Sequence, residues 1–176
     1  MYYFLAHFPK IDFSQINEIR KKYDPNYGLI DPHITLVFPV DASIGEENLL
    51  IHIEDVVKNW KPFPISLSGL EKSWDDYLYV PVQEGRNQII SLHDNLYSGI
   101  LAPFWRKDIP YTPHTTLGVF SDIKTTSDKE RALEDATIMA RSINLNAHST
   151  FDSVALVQRQ NKESPARIVK DIFLRD

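Results

Sequence analysis

Apolar residues recur along the chain with strand and helix periods in turn, and the sequence of periods is laid down twice. Residues 2–8 are an aromatic and aliphatic run of strand length. Ser14 to Tyr23 is predicted as a short helix with Ile16, Ile19 and Tyr23 on one face. A strand then runs to about Phe38. Ser43-Ile44-Gly45-Glu46 has the form of a capping box, opening a helix in which Leu49, Leu50, Ile53, Val56, Val57 and Trp60 keep helical spacing until Pro62. Ile65, Leu67 and Gly69 mark the next strand.

The second half repeats this order. Tyr77 to Val82 is predicted as a strand, and Asn87 to Leu101 as a helix carrying Ile89, Leu92, Leu96 and Ile100. A strand follows to Phe120. Ser127-Asp128-Lys129-Glu130 is a second capping box, before a helix with Leu133, Ala136, Ala140 and Ile143 on one stripe. Strands from Thr150 to Gln158 and Arg167 to Leu174, joined by a polar turn at Asn161 to Pro165, close the chain. The expected fold is α+β: a bilobal, pseudo-two-fold duplication of antiparallel-rich sheets with outer helices and a central cleft. The chain reads as one domain over 1–176, with a lobe-level repeat of approximately 1–72 and 73–176.

Composition narrows the function. With 176 residues, 43% of them hydrophobic, the chain can bury a proper interior. It has no cysteine, which excludes disulfides, zinc–thiolate sites and thiol catalysis, and fits a reducing cytoplasm. The apolar start MYYFLAHFPK lacks a basic n-region and a cleavage site, so it reads as a strand rather than a signal peptide. No run approaches the ~20 apolar residues of a membrane helix, so no membrane partner is expected. A net charge of −5 argues against broad binding to long nucleic acid but leaves room for a small basic cleft. Nothing in the sequence calls for an obligate protein partner, and a monomer is expected.

The chemistry lies in a repeated pentapeptide. Pro32-His33-Ile34-Thr35-Leu36 and Pro113-His114-Thr115-Thr116-Leu117 are both Pro-His-x-Thr-Leu, from a chain with six histidines. On a strand, His33 and Thr35 share one face and His114 and Thr116 another, while Ile34, Leu36, Thr115 and Leu117 turn the opposite way. Two such strands about a pseudo-dyad put two imidazoles and two hydroxyls around one cavity. That set suits in-line displacement at phosphorus: one neutral imidazole takes the attacking proton, one imidazolium protonates the leaving oxygen, and the hydroxyls bind the non-bridging oxygens. No histidine or carboxylate stands two or four places on to complete a metal site, and no metal or other cofactor is expected. His7, His52, His93 and His148 lack such a partner and read as structural or exposed. Trp105, Phe104, Tyr111 and the N-terminal Tyr2, Tyr3 and Phe4 offer aromatic surface for base stacking, with core packing as the plainer reading. Arg106, Tyr111 and Arg159 are candidate substrate contacts.

GLIDPHITLVFP (28–39) and YTPHTTLGVF (111–120) resemble the paired His-x-Thr-hydrophobic motifs of the two-histidine phosphoesterase superfamily, which includes bacterial 2′-5′ RNA ligase-like proteins and cyclic nucleotide phosphodiesterases. The resemblance covers nearly the whole chain. It implies a metal-independent phosphodiesterase acting on a 2′,3′-cyclic phosphate or 2′-5′ linkage in a nucleotide or short RNA. His33 and His114 then resemble the catalytic pair, and Thr35 and Thr116 the phosphate-binding hydroxyls. Two other readings stay open: a nucleotide- or RNA-binding module without turnover, and a 2′-5′ RNA ligase running the same chemistry in reverse.

Overall fold

The computed structural model describes residues 1–175. β1 (Tyr2–His7), α1 (Ser14–Tyr23), β2 (Ile34–Asp41), α2 (Glu46–Val57) and β3 (Phe63–Ser68) form the first half. β4 (Glu71–Lys72), β5 (Tyr77–Pro81), α3 (Arg86–Leu96), β6 (His114–Val119), α4 (Thr126–Arg141) and β7 (Asn146–Phe151) follow, with β8 (Ser153–Arg159) and β9 (Arg167–Phe173) as a closing hairpin. Setting β4 and the final hairpin aside, both halves run strand, helix, motif strand, helix, strand, as the periodicity predicts. The architecture is α+β with antiparallel sheets throughout.

The sheets have the orders β2-β1-β8-β9, β4-β5-β6 and β3-β7, and an isolated bridge between Leu67 and Val82 joins β3 to the end of β5. The two halves are exchanged in space. α1 packs on β6, the motif strand of the other half, and α3 packs on β2 in return. Gly118 admits α1 closely: a Cβ there would lie 3.0 Å from the Phe120 ring and from Cβ of Tyr23. One apolar core, including the fully buried Phe120, Phe151, Leu36 and Leu117, runs through both lobes.

Several boundaries differ from the sequence reading. Ser43 does not cap α2. Asp41 accepts from the Ser43 amide to start a short 3-10 turn (Ala42–Ile44), and Gly45 at φ +87° resets the chain before Glu46. α2 stops at Val57, short of Trp60. α3 stops at Leu96, and Leu101 belongs to a separate 3-10 turn (Gly99–Phe104) that Gly99 allows at φ +50°. α4 starts two residues early, because the Thr125 hydroxyl rather than that of Ser127 accepts from the Asp128 amide. The expected Thr150–Gln158 strand is two strands. The break at Asp152 sends β7 to pair with β3 and β8 to pair with β1.

The motif strands hold one further departure from simple alternation. In β2, Thr35 faces Ala6 and Val37 faces Leu5, leaving Leu36 as the extra residue of a bulge. In β6, Thr116 faces Tyr79 and Gly118 faces Leu78, leaving Leu117 as the extra residue. Each bulge sits directly after the motif threonine. An added residue inverts the alternation beyond it, so Phe38 and Val119, each five places after its histidine, join the histidines on the cleft face.

Candidate active site

The cleft between the motif strands is a cavity of about 580 Å³. His33, Thr35, His114 and Thr116 all line it. Both histidines sit at a strand's beginning, and each ring is pinned the same way. Nδ1 of His33 donates to the carbonyl of Asp31 at 2.8 Å, and Nδ1 of His114 donates to the carbonyl of Thr112 at 2.6 Å. A carbonyl can only accept, so the pins select the Nδ1–H tautomer and leave Nε2 as the free nitrogen of each ring. Neither Nε2 is a buried atom lacking a partner, and neither are the hydroxyls of Thr35 and Thr116, so these four polar atoms open to the cavity.

Aromatic rings flank both histidines. His33 lies 5.9 Å from Phe4 and 5.6 Å from Phe8, and His114 lies 4.4 Å from Tyr79. Burial disfavours the imidazolium and lowers both pKa values, that of His33 to about 4. The charges around them differ in sign. Arg20 and His114 push the His33 pKa further down against a weaker upward pull from Asp24, whereas Asp75 and Glu71 pull His114 up.

The motif-bearing end of β2 is held from the other half of the chain. Tyr111, three places before His114, donates its hydroxyl to the Thr35 carbonyl at 2.7 Å. Its ring stacks on His93 of α3 at 3.6 Å and 5°, and Nδ1 of His93 donates to the Leu36 carbonyl at 2.7 Å. The Phe38 amide donates to the Tyr97 hydroxyl at 2.9 Å. β2 is the edge strand of its sheet, and three side chains from the other half thus satisfy three of its backbone groups around the bulge.

The remaining sequence candidates fare differently. Tyr111 lines the cleft, but its hydroxyl is spent on Thr35, which makes it a positioning group. Arg159 lines the cleft with a guanidinium bound to Asn26, Ser164 and Lys162. Arg106 does not line it: its guanidinium makes a two-point pair with Asp108 in an adjoining groove. His93 is structural, as expected, although its position beside the motif strand was not evident. Lining residues that motif reasoning missed include Arg20, Asp24, Phe38, Trp74, Asp75 and Tyr79. Arg20 and Asp24 form a buried ion pair at 2.9 Å, and Arg20 also donates to the Ile30 carbonyl at 2.8 Å. Their i, i+4 spacing in α1 was the available signal. Among the described residues no three His, Cys, Asp or Glu side chains converge as a metal-ligand set. No helix among them is long and apolar enough to cross a membrane.

A sequence profile of the 2′-5′ RNA ligase superfamily matches residues 8–163. The chain belongs to that superfamily. A protein of Bacillus licheniformis, provisionally named a phosphoesterase, is 31% identical over 121 residues, covering 66% of this chain and 70% of that one. A protein of Oceanobacillus iheyensis, named in the same way, is 33% identical over 135 residues, covering 70% of this chain and 76% of its own. A Geobacillus thermodenitrificans relative of the same name is 31% identical over 111 residues, 61% of each chain. Among solved structures, TT0787 of Thermus thermophilus superposes with a TM-score of 0.64 at 17% identity, over 99% of this chain and 98% of that one. E. coli LigT complexed with NADP+ superposes at 0.61 with 18% identity, over 98% and 97%. Both solved structures share this chain's fold over nearly its whole length, and at the level of the superfamily the chain is a phosphoesterase-like protein.

Proposed function

We propose that the cleft hydrolyses a 2′,3′-cyclic phosphate or a 2′-5′ phosphodiester of a nucleotide or short RNA. The observation that carries this reading is the matched pair of Nδ1 pins, which leaves two free Nε2 atoms and two threonine hydroxyls on one cavity. A water oxygen attacks phosphorus opposite the departing ribose oxygen. Nε2 of one histidine takes a water proton, the phosphorus–ribose oxygen bond breaks with its electron pair on the ribose oxygen, and Nε2–H of the other histidine protonates that oxygen. One water is added across one P–O bond. The Thr35 and Thr116 hydroxyls donate to the non-bridging oxygens as charge gathers there. No step is assigned to a metal ion or cofactor.

Burial keeps both histidines neutral near pH 7 in the free cleft. A phosphodiester anion beside them favours an imidazolium, so the second proton enters with the substrate. The flanking charges decide which ring takes it. His114, beside Asp75 and Glu71, is the general acid, and His33, depressed further by Arg20, is the general base. The relatives' provisional name and the LigT complexes with NADP+ and 3′-AMP support a nucleotide phosphoester at this site.

The test is incubation with 2′,3′-cyclic mononucleotides and with 2′-5′ and 3′-5′ dinucleotides, the products being identified by mass and chromatography. Hydrolysis of the cyclic or 2′-linked compounds, abolished in His33→Ala and His114→Ala, is expected. Tight binding without product, or joined ends without cleavage, would overturn the hydrolase in favour of a binding module or a ligase.

A further inference from the structure

The two motif strands are entered differently. In register with the facing pairs Thr35–Ala6 and Thr116–Tyr79, Pro9 stands opposite Pro32 where Val82 stands opposite Pro113. The Val82 amide donates to the Pro113 carbonyl at 2.9 Å, which ties down the residue between His114 and the Thr112 carbonyl that pins it. Proline has no N–H, so Pro9 cannot do the same for Pro32. Residues 24–31, which end at the carbonyl that pins His33, therefore need a hold from elsewhere.

The closing hairpin supplies it. In the turn between β8 and β9, the Ala166 amide donates to the Leu29 carbonyl at 2.7 Å. Arg159 is buried at the end of β8. Its guanidinium donates to the carbonyls of Lys162 and Ser164, which closes the turn, and to Oδ1 of Asn26 at 2.9 Å, which joins the turn to residues 24–31. From the other side Arg20 donates to the Ile30 carbonyl at 2.8 Å, and the Asn26 amide donates to Asp24 Oδ1 at 2.9 Å. Among the described residues Arg159 is the one lysine or arginine of the cleft wall without a carboxylate partner, since Arg20 pairs with Asp24 and Lys72 with Asp76. A charge placed only for substrate would keep its donors free. Three of the five N–H groups of a guanidinium are spent here on the clamp.

We infer that Arg159 is a positioning residue for His33. Through Asn26 and the β8–β9 turn it fixes the segment that ends at the Asp31 carbonyl, so that the His33 ring keeps its Nδ1–H tautomer and presents Nε2 to the cleft. It acts through the backbone, without touching the ring. The catalytic part of the inference rests on His33 being the general base of the hydrolysis proposed above; the clamp itself can be read without turnover.

The experiment compares Arg159→Lys, Arg159→Gln and Asn26→Ala with the wild type. Heteronuclear NMR of the histidine ring nitrogens reads the tautomers, and kcat and KM are measured on a 2′,3′-cyclic nucleotide. Lysine keeps the charge but is a point donor that cannot span three acceptors. Asn26→Ala cuts the link and leaves Arg159 its hold on the turn, so it carries the test if the Arg159 variants do not fold. In all three the His33 ring is expected to lose its pure Nδ1–H pattern while His114 keeps its own. kcat is expected to fall about tenfold with little change in KM. A His33 pattern that stays as in the wild type, or one that changes together with that of His114, overturns the positioning role. So does a loss confined to KM that Arg159→Lys restores, which would make Arg159 an anion contact. A change at His33 alone, in a protein whose wild type turns over no phosphodiester, leaves the clamp standing and overturns the phosphodiesterase reading instead.

Discussion

The two Pro-His-x-Thr-Leu arms agree in how they place the motif side chains and differ in the charges that surround them. Each histidine is pinned through Nδ1 to the carbonyl two residues back, each threonine follows two places on, and each leucine is the extra residue of a bulge. Their surroundings then part. His33 is packed by Phe4 and Phe8 and lies in reach of Arg20, whereas His114 is packed by Tyr79 and lies in reach of Asp75 and Glu71. The supports differ as well. β2 is held by polar contacts from Tyr111, His93 and Tyr97, whereas α1 meets β6 through apolar packing and Gly118. Duplication supplies a symmetric frame, which in-line displacement needs, because attack and departure occur on opposite sides of phosphorus. Divergence of the neighbours then supplies a direction, since one proton has to be taken while another is given.

The largest expected effect removes either partner. His33→Ala and His114→Ala should each lower kcat on a 2′,3′-cyclic nucleotide by about 10³-fold. A substrate with a nitrophenolate leaving group separates the two roles, because that group departs without a proton. On it His114→Ala should recover most of its loss and His33→Ala little. If both variants lose equally on the nitrophenyl ester, the electrostatic difference between the arms does not assign the roles.

Next in size is the pair that only the first arm possesses. Arg20 and Asp24 are both almost fully buried, and Arg20 also satisfies the Ile30 carbonyl. Asp24→Asn leaves a guanidinium buried without its counter-charge, which should cost about 3 kcal/mol of stability by denaturant unfolding. A shift below about 1 kcal/mol would show that solvent in the cleft already screens Arg20. The clamp on the same arm is tested by Tyr111→Phe, which keeps the stack on His93 and deletes the bond to Thr35. A roughly tenfold fall in kcat is expected from the loss of about one hydrogen bond's worth of positioning. The pH profile should keep its shape, because Tyr111 neither gives nor takes a proton in the reaction; a shifted profile would make it more than a positioning residue.

What the residues disclosed in advance was whatever is written locally. The motif side chains, the element order and the apolar stripes of the helices follow from spacing alone. The bulges at Leu36 and Leu117 do not, because a period of two carries no mark of an extra residue until the partner strand is in register. An amphipathic stripe on α1 or α3 says that a face is buried, not that each helix crosses to the other half's sheet. Arg106 reads as a free cation until Asp108, two places on, is seen to take it. Asp152 reads as one polar residue inside a strand, yet it is where the chain changes sheets. Capping boxes erred by two residues for a related reason: Ser43 and Ser127 fit the pattern, but the neighbouring Asp41 and Thr125 reach the amides first.

The smallest expected effect concerns a histidine that the comparison leaves out. His7 ends β1, stacks on Phe151 at 4.2 Å and donates Nδ1–H to the Ser153 carbonyl at 2.9 Å, while its Nε2 is buried without a partner. Burial lowers its pKa below the ordinary value of 6.5. Above about pH 6.5 neither the folded nor the unfolded chain protonates it, and its contribution to stability is complete. As pH falls below that value the unfolded chain takes up a proton that the folded chain refuses, so stability declines until the lowered pKa is reached. The two motif histidines and His93, lowered in the same direction by burial, add to the slope. His7→Asn leaves an amide near the place of Nδ1 and removes the titration. Urea unfolding of the variant between pH 7.5 and 5 should therefore show lower stability throughout but a shallower decline, by up to one proton. The motif histidines should behave otherwise once a phosphate occupies the cleft: ligand should flatten their part of the slope and leave that of His7 untouched. An unchanged slope in His7→Asn would mean that water reaches Nε2 and that the ring titrates alike in both states.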